Sequence, residues 1–325
     1  MPVEARITVI IPAYNAQETI ASAIEAVMAQ AYAGSVELVV VDDGSTDQTK
    51  DVVARYPEVR LIRQENTGPA GARNRGAREA GGEFLFFTDA DCCPQRGWLA
   101  GMMQGFDRPD IAVVSGSYGI ANPHAWLARI IHAEIIYRHR TLMPQYPRFF
   151  GSYNFAVRRA VFEAAGGFNA GYRQASGEDN DLSYRIAAGG GRILFLPDVR
   201  VDHYHQESLR RYLREQFRHG FWRAKMYGEH PRMMGGDGYT FWKDAVEVPW
   251  TLAHGPLVFF WPWLSVVGGT LLVFEFIFGI IIFKSIILAV LAGAVMWLRA
   301  FARSAGFVAG GMTLMSNRFL SVKKV

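Results

Sequence analysis

Asp89 and Asp91, two residues apart in Asp89-Ala90-Asp91, directly follow the apolar run Phe84-Leu85-Phe86-Phe87-Thr88. At the end of a buried strand such carboxylates repel each other unless a cation sits between them. Hard divalent ions, Mg²⁺ or Mn²⁺, take oxygen ligands and are often shared with substrate phosphates. The triplet is therefore a candidate metal site for a phosphorylated substrate. The same residues also serve as ordinary loop caps after strands. Cys92 and Cys93 follow at once. Adjacent cysteines rarely close an unstrained disulfide, and a lone Cys-Cys lacks zinc spacing. They read as small buried thiols of a reducing compartment.

The elements that must position the triplet alternate. Ile7–Ile11 is an apolar strand, and Ile20, Ala23, Ile24, Val27 and Met28 recur at helical spacing. Val36–Val41 is a second strand, broken by Asp42-Asp43-Gly44-Ser45-Thr46-Asp47, which caps the next helix. Val59–Arg63 is a third strand. Pro69 opens a helix over 70–80, where a first turn tolerates proline. Phe84–Thr88 is the fourth strand. This order predicts an α/β fold, a mostly parallel sheet with helices on both faces. Ligands of such sheets bind at the carboxyl ends of the strands. Pro12-Ala13-Tyr14-Asn15, Asp42-Asp43-Gly44-Ser45 and Asp89-Ala90-Asp91 all fall at those ends and should converge. Arg73, just after the turn at 66–69, is near the same rim and could make a bidentate contact to a diphosphate, or could be a surface helix arginine.

A chain of 325 residues easily buries a core and exceeds one typical domain. The formal charge of +4 is too weak to argue for nucleic acid. No G-x-G-x-x-G loop follows the first strand and no P-loop occurs, which weakens dinucleotide-binding and P-loop readings. The start, Met1 to Arg6, has no signal-peptide pattern, so the amino-terminal part is expected in the cytoplasm.

The carboxy-terminal part differs in character. From Pro256 to Leu298 the sequence is apolar except for Glu275 and Lys284. That length is roughly twice the ~20 residues of one spanning helix. The pattern predicts a transmembrane hairpin within 252–298, with helices near Leu252–Phe274 and Ile277–Leu298. The turn is near Glu275 or closer to Lys284. Basic residues flank both ends: Arg223, Lys225, Arg232 and Lys243 before, Arg299, Arg303, Arg318, Lys323 and Lys324 after. They place both ends on the cytoplasmic face of a multi-pass protein of the cell membrane. Residues 231–251 are a connector, and 299–325 a basic tail whose Ala305–Leu314 is apolar but too short to span. Before the hairpin, Ser208–Tyr227 is a basic amphipathic helix, with Arg210, Arg211, Arg214 and Arg218 set apart from its apolar side. It could lie on an anionic membrane surface or pack on the catalytic domain.

Ile-Pro-Ala-Tyr-Asn (11–15), Asp-Asp-Gly-Ser-Thr-Asp (42–47), Asn-Thr-Gly-Pro-Ala-Gly-Ala-Arg-Asn (66–74) and Asp-Ala-Asp (89–91) occur in this order. Gly166-Gly167-Phe168-Asn169 and Gly177-Glu178-Asp179-Asn180-Asp181-Leu182 follow. The set resembles family 2 glycosyltransferases over roughly residues 5–225. The resemblance implies a GT-A fold over residues 1–230, a nucleotide-diphosphate sugar as donor and a divalent cation. By position it assigns Ala13, Tyr14, Asp42 and Asp43 to the nucleotide rim, and Arg73 to the diphosphate. Asp89, Ala90 and Asp91 become the DXD motif, with Asp89 and Asp91 on the metal and His203 completing that site. Asp179, beside Glu178, becomes the catalytic base of an inverting transfer, although acids at 178–181 could also simply stabilise a helix start.

The processive Gln-x-x-Arg-Trp motif is absent near Gln216-Phe217-Arg218-His219-Gly220. The expectation is therefore a membrane-anchored enzyme moving a single sugar to a glycan or polyprenyl-phosphate-linked acceptor, with membrane lipids as partners. A catalytically silent scaffold of the same fold and a sugar nucleotidyltransferase are the alternatives. Residues 115–155 are expected to shape the acceptor side.

Overall fold

The computed structural model describes residues 6–172, 177–231, 247, 249–251, 254, 265–283 and 285–322. The chain divides into two compact units, residues 1–122 with 143–204 and residues 123–142 with 205–325.

The first unit is built on one mixed sheet. Its strands are β1 (Ile7–Ala13), β2 (Val36–Asp42), β3 (Val59–Arg63), β4 (Phe84–Thr88), β5 (Cys92–Pro94), β6 (Ile111–Ile120), β7 (Asn154–Arg158) and β8 (Arg192–His203), in the spatial order β3-β2-β1-β4-β7-β6-β8-β5. The first four strands run parallel, as their near-continuous apolar sequences require of a sheet covered on both faces. β7 is antiparallel to both neighbours, and β5 is antiparallel to β8. Residues along β4 alternate between two cores. Phe84 and Phe86 pack with Trp98 and Phe106, while Leu85 and Phe87 join Phe155, Phe162 and Phe168. The period of two thus places aromatic layers on both faces.

Helices α1 (Ile20–Met28), α2 (Thr49–Val53), α3 (Pro69–Glu79), α4 (Trp98–Gly105), α6 (Arg159–Ala164) and α7 (Glu178–Ala188) complete this unit. α1 buries Ile20, Ala23, Ile24 and Val27, the expected face. α3 sits close on β1 because Gly76 has no side chain: a Cβ there would come within 2.5 Å of Ile10 Cγ2.

The second unit is helical: α5 (Trp126–Thr141), α8 (Leu209–Glu229), α9 (Ser265–Ile282) and α10 (Ile286–Val322). Ser208 caps α8, its hydroxyl accepting from Arg211 N. Glycines allow close helix contact. A Cβ at Gly306 would meet the Phe217 carbonyl and the Phe221 nitrogen, and one at Gly293 would lie 3.0 Å from Phe276. Arg299 of α10 is buried between Glu134 of α5 and Glu247, and Glu134 also holds Arg138 at 2.8 Å. Burying these charges is tolerable only because each is paired.

The apolar carboxy-terminal region differs in detail from expectation. α9 ends at Ile282 and α10 begins at Ile286, so the helices part on the Lys284 side, whereas Glu275 is buried within α9. Much of the expected first span, 252–253 and 255–264, lies outside the described residues. Among the described residues one helix, Ile286–Leu314, is long and apolar enough to cross a membrane; Thr270–Ile282 is apolar but shorter. Residues 299–322, expected as a tail with a short interfacial piece, continue α10 without interruption.

Candidate active site

The loops after β1 and β2 are fastened together. Asn15 N donates to Ser45 Oγ, Thr46 N donates to Asn15 Oδ1, and Ala16 N donates to Thr49 Oγ1. Asn15 itself has a positive φ of 50°, which an asparagine tolerates. This clasp leaves the Tyr14 ring 53% exposed on the rim, while Ala13 is buried beneath it.

Asp42 and Asp43 are both buried and both already committed. Asp42 accepts from Ser45 N at 2.9 Å and pairs with Arg63 at 3.1 Å. Asp43 accepts from Gln64 Nε2, Thr67 N, Thr67 Oγ1 and Gly68 N. Four donors on one carboxylate fix the loop at 64–68, which forms the wall of an open groove of about 520 Å³ lined by Gly44, Arg63, Gln64, Glu65 and Asn66. Both acids therefore shape the rim expected to receive a nucleotide. Gln64 could not be singled out from sequence, because a glutamine marks no site without its partner.

Arg73 projects from α3 into the interior, 2% exposed. Its Nη2 donates to Asp89 Oδ1 at 2.7 Å and its Nη1 to Glu178 Oε1 at 2.9 Å, with Glu178 also buried. Burial disfavours the guanidinium charge, but Asp89 and Glu178 more than compensate and hold its pKa above the ordinary arginine value. A planar fork suits two carboxylates from different elements. Among the described residues its Nε has no hydrogen-bond partner. The expected surface alternative for Arg73 is thus excluded, and the acidic triplet is tied to the start of α7.

α7 can begin at Glu178 because Gly177, with φ of 96°, makes the turn a side chain would oppose. Asp179 is half-buried and accepts hydrogen bonds from Asn180 N, at 2.8 Å, and Ser152 N. Burial, then the Glu178 charge, push its carboxyl up to about 7, although both N–H donors and Arg73 pull the other way. Asp181 pairs with Arg185, one turn on in α7, at 2.6 Å. Asp179 is therefore the acid poised to exchange a proton near neutral pH.

Asp91 and His203 meet through sheet register. β5 pairs with β8 so that Cys92 faces His203, which sets His203 Nε2 3.4 Å from Asp91 Oδ2. The bulge between Gly116 and Ser117 in β6 is held by Asn154, whose Nδ2 donates to Ser117 O and Val199 O and whose Oδ1 accepts from Trp98 Nε1. Asn154, expected on the acceptor side, is instead buried framework. Partial burial pushes the Asp91 carboxyl up, but the charge and hydrogen bond of His203 prevail and hold it below the usual range.

The donor set of Asp91 and His203 fits a divalent ion: one carboxylate oxygen and one imidazole nitrogen, with side chains 44% and 22% exposed and so open to solvent. Cys92 lies within reach. Burial, then Asp91 and Asp89, raise its thiol well above the ordinary value, which disfavours the thiolate a metal needs. Asp89, the other expected ligand, spends one oxygen on Arg73; Ala90 between the two acids is buried.

The sequence matches Glycosyl transferase family 2 over residues 8–176. The chain belongs to that family. Among relatives of this family 2 glycosyltransferase, the Pre-mycofactocin glycosyltransferase of Mycobacterium tuberculosis is 28% identical over 211 residues, 60% of this chain and 43% of that protein. The UDP-Glc:alpha-D-GlcNAc-diphosphoundecaprenol beta-1,3-glucosyltransferase WfgD of Escherichia coli is 31% identical over 143 residues, 42% of this chain and 54% of that protein. The chain thus spans about half the length of these two relatives. Among solved structures, the mannosyltransferase PcManGT from Pyrobaculum calidifontis, in complex with GDP-Man and Mn²⁺, matches with a TM-score of 0.56 and 26% identity, covering 71% of this chain and 65% of that one. The mixed α/β sheet of this family 2 glycosyltransferase resembles GT-A structures.

Proposed function

We propose that the chain is a membrane-anchored, inverting glycosyltransferase that moves one sugar from a nucleotide-diphosphate sugar onto a lipid-linked or cell-envelope glycan acceptor. The observation that carries this reading is the Arg73 bridge, which joins the Asp89 arm to the helix bearing Asp179. A donor-holding element and a proton acceptor tied in this way can serve one displacement.

In that displacement the acceptor hydroxyl oxygen attacks the anomeric carbon. Its bond to the leaving diphosphate oxygen breaks as the new bond forms on the opposite face. Asp179 takes the hydroxyl proton, for which a pKa raised to about 7 is well placed. Asp91 and His203 are the residues that would hold a divalent cation, which when bound offsets negative charge on the departing diphosphate. The Tyr14 rim and the groove beside Gly44 and Asn66 would take the nucleoside.

The anchor reading draws on α9 and α10, whose Ile277, Ile281, Ile286, Ile287 and Val290 are more than half exposed, an apolar surface suited to lipid. A polyprenyl-diphosphate-linked acceptor is favoured by the diphosphoundecaprenol acceptor in the name of the Escherichia coli relative.

Thermal denaturation with a panel of uridine and guanosine diphosphate sugars, with Mn²⁺ or Mg²⁺, tests the donor. One donor should stabilise the fold by binding the native state alone. Failure of every nucleotide sugar to shift the transition would reject the reading. Radiolabelled transfer to detergent-extracted polyprenyl-linked glycans then tests the acceptor.

A further inference from the structure

α8 carries an arrangement that sugar transfer does not use. Arg210, Arg211, Arg214, Phe217 and Arg218 are all exposed. At about 100° per residue they fall within an arc of about 120°. The side away from them, Tyr212, Gln216 and Gly220, is buried in the helical unit. Among the described residues none of the four guanidiniums takes part in an ion pair, whereas Glu215, off this arc, pairs with His219. Phe217, 39% exposed, stands at the edge of this arc, next to Arg210 and Arg214. Four arginines without an ion-pair partner, beside one exposed aromatic ring, are complementary to a phosphate-rich apolar interface.

The position of this face along the helical unit points to the same partner. Leu209 and Leu213 of α8 pack with Ala292, Val295 and Met296 of α10. The first turns of α8 therefore lie level with the segment just before Arg299. On the other side of that level, toward the end of α9 and the start of α10, these helices expose Ile280, Ile281, Ile286, Ile287, Val290 and Leu291. The basic turns thus border the apolar surface within one unit, as headgroups border acyl chains.

We propose that α8 is an interfacial helix whose arginine face binds the anionic phospholipid headgroups of the membrane beside the α9–α10 surface. This rests on the membrane-anchored reading and adds the lipid class and the residues. Guanidiniums pair bidentately with phosphodiesters, and Phe217 would enter the acyl boundary between them.

Residue-resolved arginine modification tests it. Full-length protein is reconstituted into vesicles of phosphatidylcholine alone or of phosphatidylcholine and phosphatidylglycerol at about 3:1, treated with phenylglyoxal and read by mass spectrometry, with Arg60 of the sheet unit as the internal reference. Modification of Arg210, Arg211, Arg214 and Arg218 should fall about fivefold in the anionic vesicles and recover at high salt, because headgroup attraction is screened. The variant carrying Arg210→Gln, Arg211→Gln, Arg214→Gln and Arg218→Gln should keep its nucleotide-sugar thermal shift. It should lose the preference of the chain for anionic over neutral vesicles in flotation. Equal modification in both vesicle types, or an unchanged preference in the variant, overturns the proposal. Protection by a trace of polyprenyl phosphate in neutral vesicles also overturns it, since the face would then be an acceptor site. A chain that floats with neither vesicle type would instead remove the anchor reading beneath it.

Discussion

Arg73 and Glu178, from helices α3 and α7, form an ion pair of 2.9 Å in which each side chain is 2% exposed. The second arm of the same guanidinium holds Asp89. Removing the arginine strands a buried carboxylate, and breaking such a pair costs about 3–5 kcal/mol. Arg73→Met is expected to lower the melting temperature by roughly 10 °C. Arg73→Lys keeps the charge but replaces a fork with a point, and is expected to recover part of the stability while donor affinity stays low. A differential scan with and without donor separates the two effects. Equal melting of wild type and Arg73→Met would show that the bridge contributes nothing.

Asp179 sets a pH dependence with a definite sign. Its carboxyl is raised to about 7 in the folded chain, chiefly by burial and then by Glu178. As a base it must be ionised, so kcat/KM should rise about tenfold per pH unit up to about 7 and then level off. Stability runs the other way. A raised acid contributes stability fully below its unfolded pKa and loses it as pH rises through 7. Asp179→Asn should therefore cut turnover by about 10²–10⁴-fold and yet melt higher than wild type at pH 8. Nucleotide-sugar binding by that variant should survive.

Glu178 separates the two influences on that base. Glu178→Gln removes the negative charge that helps raise Asp179, and it leaves Arg73 facing a neutral amide. The rising limb of the pH–rate profile is expected to move to lower pH, measured from about pH 5 to 9 on protein shown to be folded by circular dichroism. A limb that stays in place would mean that burial alone raises Asp179.

Much of this was readable in the sequence because it depends on local pattern. Apolar runs such as Phe84–Thr88 and the helices that open at Thr49 and Pro69 fix strand–helix order, and strand ends gather the polar loops. Pairings between distant segments were not readable from local pattern, and only the family resemblance set His203 beside Asp91. His203 meets Asp91 only because β5 and β8 are antiparallel in one register, and a one-residue slip would turn His203 away. The donors that occupy Asp43 come from a loop whose path depends on β3 and α3. Hydropathy likewise found the apolar carboxy-terminal region but not where α9 ends and α10 begins, because both Glu275 and Lys284 interrupt the run in the same way.

Asp91 and His203 predict where a divalent ion acts. Mn²⁺ should enlarge the thermal shift given by a nucleoside diphosphate, and EDTA should abolish that increment. Asp91→Asn and His203→Ala are each expected to weaken the Mn²⁺ response by about tenfold or more, because each removes one ligand of a small set. Cys92→Ser should leave it unchanged, since the Cys92 thiol is held protonated by burial and the neighbouring acids. A loss in the serine variant equal to that in Asp91→Asn would place sulfur in the metal site and refute the two-ligand assignment.

In the helical unit, two glycines of α10 make opposite predictions from the same substitution class. A side chain at Gly306 would run into the Phe217 carbonyl and lie 3.0 Å from the Phe221 nitrogen, whereas one at Gly311 would meet nothing within 4 Å. Backbone cannot swing aside as a flexible side chain can, so Gly306→Ala should force α8 off α10 and cost about 1–3 kcal/mol. Gly311→Ala adds no clash and stiffens the unfolded chain, so it should stabilise by about 0.5–1 kcal/mol. Thermal unfolding of both variants in one detergent reads the contrast directly. If α8 packs on α10 through that glycine, the two melting temperatures move in opposite directions; a shared direction would mean that the close contact at Phe217 is not made.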